Sequence, residues 1–191
     1  PNRETLTVVR TRTGESYFTD SEGRAWRVFP FIEDTVCLQA AETPELFEAS
    51  ALAFGRFQHQ LKDYPADTLY ETIARFHDTE NRLANFKKAL EADVMGRAKD
   101  VQPEIDFVLA HEADCSVAMS ALREGKLPLR VTHNDTKLNN VLIDRETGKG
   151  ICVIDLDTVM PGLAINDFGD SIRFGANHSA EDERDLSKVN F

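Results

Sequence analysis

The run His133-Asn134-Asp135-Thr136-Lys137-Leu138-Asn139-Asn140 gathers an imidazole, a carboxylate, an ammonium and several amides, and a second carboxylate, Asp155, follows downstream. Residues 141–143 and 150–154 read as strands around a turn at 144–149. Paired antiparallel, they bring their outer ends together and set Asn140 beside Asp155. An amide oxygen next to a carboxylate suits magnesium, a hard cation that keeps water and phosphate oxygens as its other ligands. Asp135, on the preceding loop, faces the same cleft. A carboxylate there can accept a hydroxyl proton and hold that oxygen in line with a phosphoryl group. Lys137 can place its ammonium on a γ-phosphate as charge moves, or pair with Asp135 or Asp155 when no nucleotide is present. The chemistry implied is phosphoryl transfer from a magnesium-bound nucleotide.

The elements that must position these groups follow from pattern. Residues 15–19 and 24–31 alternate as strands around the turn-forming Asp20-Ser21-Glu22-Gly23. Residues 34–42 read as a linker. Thr43 is a good N-cap with Pro44 at the first helical position, and Leu46, Phe47, Ala49, Ser50, Ala53, Phe54, Phe57 and Leu61 then recur at helical spacing. Further helical patterns cover 69–76, 83–97 and 105–122, the last closed by Gly125. Strand-like runs at 129–132, 141–143 and 150–154 carry the polar loop. Trp26 and the phenylalanine-rich helix are expected in the core, and the acidic run at 181–185 on a solvated face.

Composition narrows the function. With 22 Lys and Arg against 33 Asp and Glu, the formal charge is -11, which argues against a nucleic-acid groove. Cys37, Cys115 and Cys152 are odd in number and show no CxxC spacing, so neither a disulfide framework nor a zinc site is expected, and a cytoplasmic location fits. No apolar run approaches the ~20 residues that span a bilayer. Nothing in the sequence reports oligomeric state.

The loop and the later aspartate form the H-x-D-x-x-x-x-N and metal-aspartate pattern of kinases, with altered middle residues. At these positions the chain resembles the choline kinase and aminoglycoside phosphotransferase superfamily. The runs from Leu129 to Asn140, Val153-Ile154-Asp155-Leu156-Asp157-Thr158 and Phe168-Gly169-Asp170-Ser171-Ile172-Arg173-Phe174-Gly175 are similar to the N-acetylhexosamine 1-kinase family within it. Trp26-Arg27-Val28, Phe31-Ile32-Glu33 and Phe76-His77-Asp78-Thr79 extend the likeness. The resemblance implies an α+β, protein-kinase-like fold and an enzyme that uses ATP and Mg2+ to phosphorylate the anomeric hydroxyl of N-acetylglucosamine or N-acetylgalactosamine. It further implies Asp135 as base, Asn140 and Asp155 as metal ligands, His133 as a brace of the loop and Asp167 as a support behind it. Phe31, Ile32 and Glu33 would form a hinge whose backbone meets adenine. On that basis residues 1–34 are the remnant of an N-terminal lobe and residues 35–191 an incomplete C-terminal lobe.

Competing readings attach to several residues. Asp167-Phe168-Gly169 spells DFG but follows Pro161-Gly162 with no strand running into it, whereas Asp155 ends one. Asp157 invites a DxD glycosyltransferase reading that leaves the preceding loop unexplained. His77 and Asp78 either reach the acceptor or form an ordinary satisfied pair. No glycine-rich loop or strand lysine precedes the hinge, and the first lysine is Lys62. The 191 residues are therefore expected to be an internal fragment with little activity of its own. A catalytically silent nucleotide-binding pseudokinase is the alternative from a different class.

Overall fold

The structure, a computed structural model, describes residues 3–176, 179 and 183–189. In chain order come β1 (Phe18–Thr19), β2 (Ala25–Trp26), β3 (Thr35–Val36), α1 (Pro44–Gln60), α2 (Thr79–Ala92), α3 (Gln102–Ala110), α4 (Val117–Arg123), β4 (Arg130–Thr132), β5 (Val141–Asp144), β6 (Gly150–Val153), β7 (Met160–Gly162) and α5 (Ala164–Gly175), with short 3-10 turns between. Three small antiparallel sheets form: β1-β2, β3-β5-β6 and β4-β7. This is an α+β fold of the kinase-like kind.

The sheet that carries the metal-ligand candidates is packed by α1. Thr43 Oγ1 accepts the Leu46 N–H at 3.4 Å and starts the helix. Its apolar stripe, Ala49, Ala53 and Phe54, then buries against Val141 and Ile143, with Val36, Leu38, Leu46 and Val153 around them. The approach is close because β6 begins with a glycine: a Cβ at Gly150 would lie 2.6 Å from the Ala49 carbonyl oxygen. Between β5 and β6 the register slips, with Leu142 opposite Cys152 but Ile143 opposite Gly150, a bulge that accommodates one extra residue. The turn is closed by Asp144, whose Oδ1 accepts both the N–H and the hydroxyl of Thr147 at 2.9 Å.

Several elements depart from the sequence expectation. The linker at 34–42 contains β3, which extends the β5-β6 hairpin through Thr35–Asp144 and Val36–Ile143 pairing. Residues 69–76 are not a helix: Leu69 is extended, Arg75 sits at φ 56°, and Thr72 Oγ1 donates to the Asp157 carbonyl instead of serving a helical turn. The expected helix at 83–97 starts earlier, at Thr79, because Asp78 Oδ1 accepts the Asn81 N–H, and it stops at Asp93, which is left-handed. The expected helix at 105–122 is split into α3 and α4. The Cys115 carbonyl between them is captured by Thr79 Oγ1 at 2.6 Å, and His111 and Asp114 bond locally, diverting groups that a continuous helix would use. Gly125, at φ 69°, ends α4 while Lys126 N–H reaches back to the Ala121 carbonyl, a Schellman-type closure.

The hairpin at 15–31 forms, but only two residues of each strand pair. Trp26 lies at its surface rather than in the core, 55% exposed. Its indole N–H donates to Asp20 Oδ2 at 2.9 Å. Within the acidic run, residues 181 and 182 lie outside the described residues, while Asp185 Oδ1 accepts from the Ser187 N–H and hydroxyl.

Candidate active site

The loop at 133–140 leaves β4, and its return into β5 is a single 3-10 turn, 138–140. Little of its backbone is held by a strand ladder, so side chains hold it instead. Asp167, on the first turns of α5 and 4% exposed, takes the His133 N–H on Oδ2 at 2.9 Å and the Asn134 N–H on Oδ1 at 2.8 Å. Gln58 of α1 adds its amide N–H to Oδ2 at 2.7 Å. Three donors thus engage the DFG-like carboxylate. Asn134 adopts φ 67°, a left-handed turn that lets both amides face one carboxylate. Its side chain is pinned in turn by Thr132 and by the Thr158 carbonyl.

His133 is fully buried. Its Nε2 lies 2.9 Å from the Ile154 carbonyl and its Nδ1 3.3 Å from the Asp135 N–H. A carbonyl can only accept and an N–H only donate, so the ring is the neutral Nε2–H tautomer. The Phe54 and Phe57 rings meet it edge-on, with centroids at 5.2 and 5.8 Å. Both nitrogens are committed, and the imidazole ties the loop to β6 rather than facing a cleft.

Asp135 and Asn140 are in contact: Asn140 Nδ2 donates to the Asp135 carbonyl oxygen at 2.8 Å and to its Oδ2 at 3.0 Å. With its nitrogen turned onto Asp135, the amide offers its oxygen as the acceptor end. Ile154 N–H donates to the Asn140 carbonyl at 2.9 Å, so the hairpin brings Asn140 alongside the residue that precedes Asp155. Asp155 is exposed and left-handed, φ 57°, where the chain turns sharply out of β6. Lys137 Nζ stands 3.5 Å from Asp135 Oδ1, both side chains about one-quarter exposed. Asp157 is turned elsewhere and pairs with Arg27.

A family model described as the phosphotransferase enzyme family, APH, matches residues 4–187. The chain belongs to this family. Membership makes it a kinase-type phosphotransferase of small molecules, a group that generally draws on ATP and Mg2+.

For a phosphotransferase the donor set at Asn140 and Asp155 is chemically apt: one amide oxygen and one carboxylate leave most positions of an octahedral magnesium ion to water and phosphate oxygens. No group of three or more His, Cys, Asp or Glu side chains is arranged to hold a metal ion among the described residues, so any metal held here would have a sparse protein shell. Burial pushes the Cys152 thiol up to about 11, which keeps it from acting as a nucleophile at neutral pH.

Phe31 is 85% exposed and Ile32 buried. The Ile32 and Glu33 carbonyls accept from Thr35 Oγ1 and Arg3. His77 Nε2 lies 3.3 Å from the Asn134 carbonyl, while Asp78 caps α2 and pairs with Arg75. Both line a cavity of about 350 Å3 walled by Phe76, Met119, Leu122 and Leu129, which Asp135, Asn140 and Asp155 do not line. Sequence reasoning missed Gln58, Thr136, Thr158 and Asp170, all bonded to the loop or to Asp167. The one signal for Asp170 is its i,i+3 spacing from Asp167, which puts both acids on one face of α5.

Proposed function

We propose that this phosphotransferase moves the γ-phosphate of ATP, with magnesium, onto the anomeric hydroxyl of an N-acetylhexosamine. The observation that carries the reaction is the contact between Asp135 and Asn140, with Ile154, the residue before Asp155, hydrogen-bonded to the Asn140 carbonyl. In this reading Asp135 accepts the acceptor's hydroxyl proton and aims the oxygen, and Lys137 places positive charge on the transferring group. The Asn140 amide oxygen and the Asp155 carboxylate hold magnesium, which when bound supplies charge neutralisation at the phosphates. His133 and Asp167 keep the loop in shape. The backbone of Phe31, Ile32 and Glu33 forms the adenine-facing hinge between an N-terminal unit ending near residue 34 and the rest. The choice of an N-acetylhexosamine rests on the resemblance of the 129–140, 153–158 and 168–175 runs. A cytoplasmic setting suits three unpaired cysteines.

The test is magnesium-dependent ADP release by the full-length protein with N-acetylglucosamine, N-acetylgalactosamine, choline and kanamycin as acceptors. Turnover with an N-acetylhexosamine, reduced at least about 100-fold by Asp135→Asn, supports the reading and the base together. Turnover with choline or kanamycin instead keeps the chemistry and overturns the acceptor. Nucleotide binding without release to any acceptor points to a silent scaffold. Because the 191 residues hold no glycine-rich loop or strand lysine, they are expected to turn over poorly by themselves; robust activity from them would refute that.

A further inference from the structure

The four backbone N–H groups from His133 to Thr136 all donate to side chains. His133 and Asn134 donate to Asp167, Asp135 to His133 Nδ1, and Thr136 to Asp170 Oδ2 at 2.8 Å. The proposed base therefore sits between two clamps, one on each side in sequence, and Asp170 is the downstream one. Its two oxygens are divided. Oδ2 holds the loop, while Oδ1 accepts from Arg173 Nε at 3.0 Å and from a second guanidinium nitrogen at 2.9 Å. Two guanidinium donors on the one oxygen anchor Oδ1 and offset the charge of a side chain only 14% exposed. Thr136, 1% exposed, is held a second time, because its hydroxyl donates to the Asp167 carbonyl at 2.6 Å. The two acids thus lock the bends on either side of Asp135 onto one helix.

We infer that Asp170 is a positioning residue for phosphoryl transfer, acting through the Thr136 N–H to set the aim of Asp135 and of Lys137 beyond it. The inference rests on the phosphotransfer reading for its catalytic consequence. Its structural consequence is independent of that reading. Both oxygens of Asp170 are engaged, Oδ2 with Thr136 and Oδ1 with Arg173. What it contributes is the direction in which its neighbour points, and small errors of aim at a reacting group are costly.

The experiment compares Asp170→Ala and Asp170→Asn with the unaltered full-length protein by residue-resolved amide hydrogen exchange and by steady-state kinetics. In the alanine variant, Thr136 amide exchange is expected to rise at least about 10-fold, with His133 and Asn134 changing by less than about 3-fold, since Asp167 still holds them. Turnover is expected to fall about 10- to 100-fold with KM for ATP and acceptor within about 2-fold. Asparagine keeps an oxygen for the Thr136 N–H and is expected to recover most of the loss. Unchanged Thr136 exchange would overturn the inference. So would a uniform rise across the loop with asparagine no better than alanine, which marks general destabilisation. Should the unaltered protein release no ADP, the phosphotransfer reading falls, while the exchange pattern still decides whether Asp170 is the clamp.

Discussion

His133 has no spare nitrogen. It spans from the Asp135 N–H to the Ile154 carbonyl inside a fully buried site. His133→Leu fills similar space but strands both partners, at roughly 1–3 kcal/mol for each buried group left unsatisfied. The denaturant midpoint should drop accordingly, and a variant of unchanged stability would remove the bracing role. Gly162 is constrained in a different way. A Cβ there would lie 2.3 Å from Thr132 Oγ1 and 3.1 Å from Asn134 Oδ1, inside the network that shapes the loop. Gly162→Ala is therefore expected to cost roughly 1–3 kcal/mol by overpacking, read as a lowered melting temperature. Asp155 is the complementary case, because it is exposed and its surroundings do not need it for packing. Asp155→Asn should leave stability within about 0.5 kcal/mol while raising the magnesium concentration needed for half-maximal turnover. If the magnesium requirement is unaltered, Asp155 is not a ligand.

At the level of elements, local carboxylates start and close the pieces that frame the site, and they leave a pH signature. The Asn81 N–H at the head of α2, helped by Arg75, holds Asp78 below the ordinary aspartate value of 3.8. The N–H and hydroxyl of Thr147, with Arg3, do the same for Asp144 in the β5-β6 turn. In the β1-β2 turn, Trp26 and Arg24 lower Asp20 to about 2. All three are depressed in the folded state. Their contribution is therefore fully present above 3.8 and is lost as pH falls through the folded values, down to about 2 for Asp20. Chemical denaturation across that range should show stability falling with acid, and Asp78→Asn should flatten part of the slope. A stability independent of pH there would contradict these assignments. The same logic of local bonding split α3 from α4, where Thr79 draws off the Cys115 carbonyl.

Across the whole molecule, the Arg27–Asp157 pair joins the N-terminal hairpin region to the turn after Asp155. Its side chains are 49% and 65% exposed, so its worth is bounded at about 1 kcal/mol and shrinks with salt. Arg27→Ala should shift the melting temperature only slightly, and less at high salt than at low. A large shift at high salt would mean that packing, through the Arg27 contact with the Phe29 ring, matters more than charge. The hairpin region also carries Tyr17, Phe18, Trp26, Val28 and Phe31 at its surface, because two paired strands cannot bury both of their faces alone. No helix among the described residues is long and apolar enough to cross a membrane.

Short-range physics made part of this protein readable from sequence. The Thr43-Pro44 start and apolar stripe of α1, the Asp144–Lys149 turn with its flanking strands, and the adjacency of Asn140 to the end of β6 depend on neighbours within a few turns or one hairpin. The resemblance pointed to His133 and Asp167 as supports of the loop, while the tertiary structure alone supplied their partners and the second acid, Asp170. Asp167 and Asp170 lie more than thirty residues downstream of their partners, and Gln58 reaches Asp167 from the far end of α1. Tertiary contacts also overrode the helical pattern at 69–76 and 105–122 and left Trp26 exposed. Periodicity records which residues are apolar, but a side chain such as Thr79 or Thr72 can capture a distant carbonyl, and only the packed chain brings the two within reach.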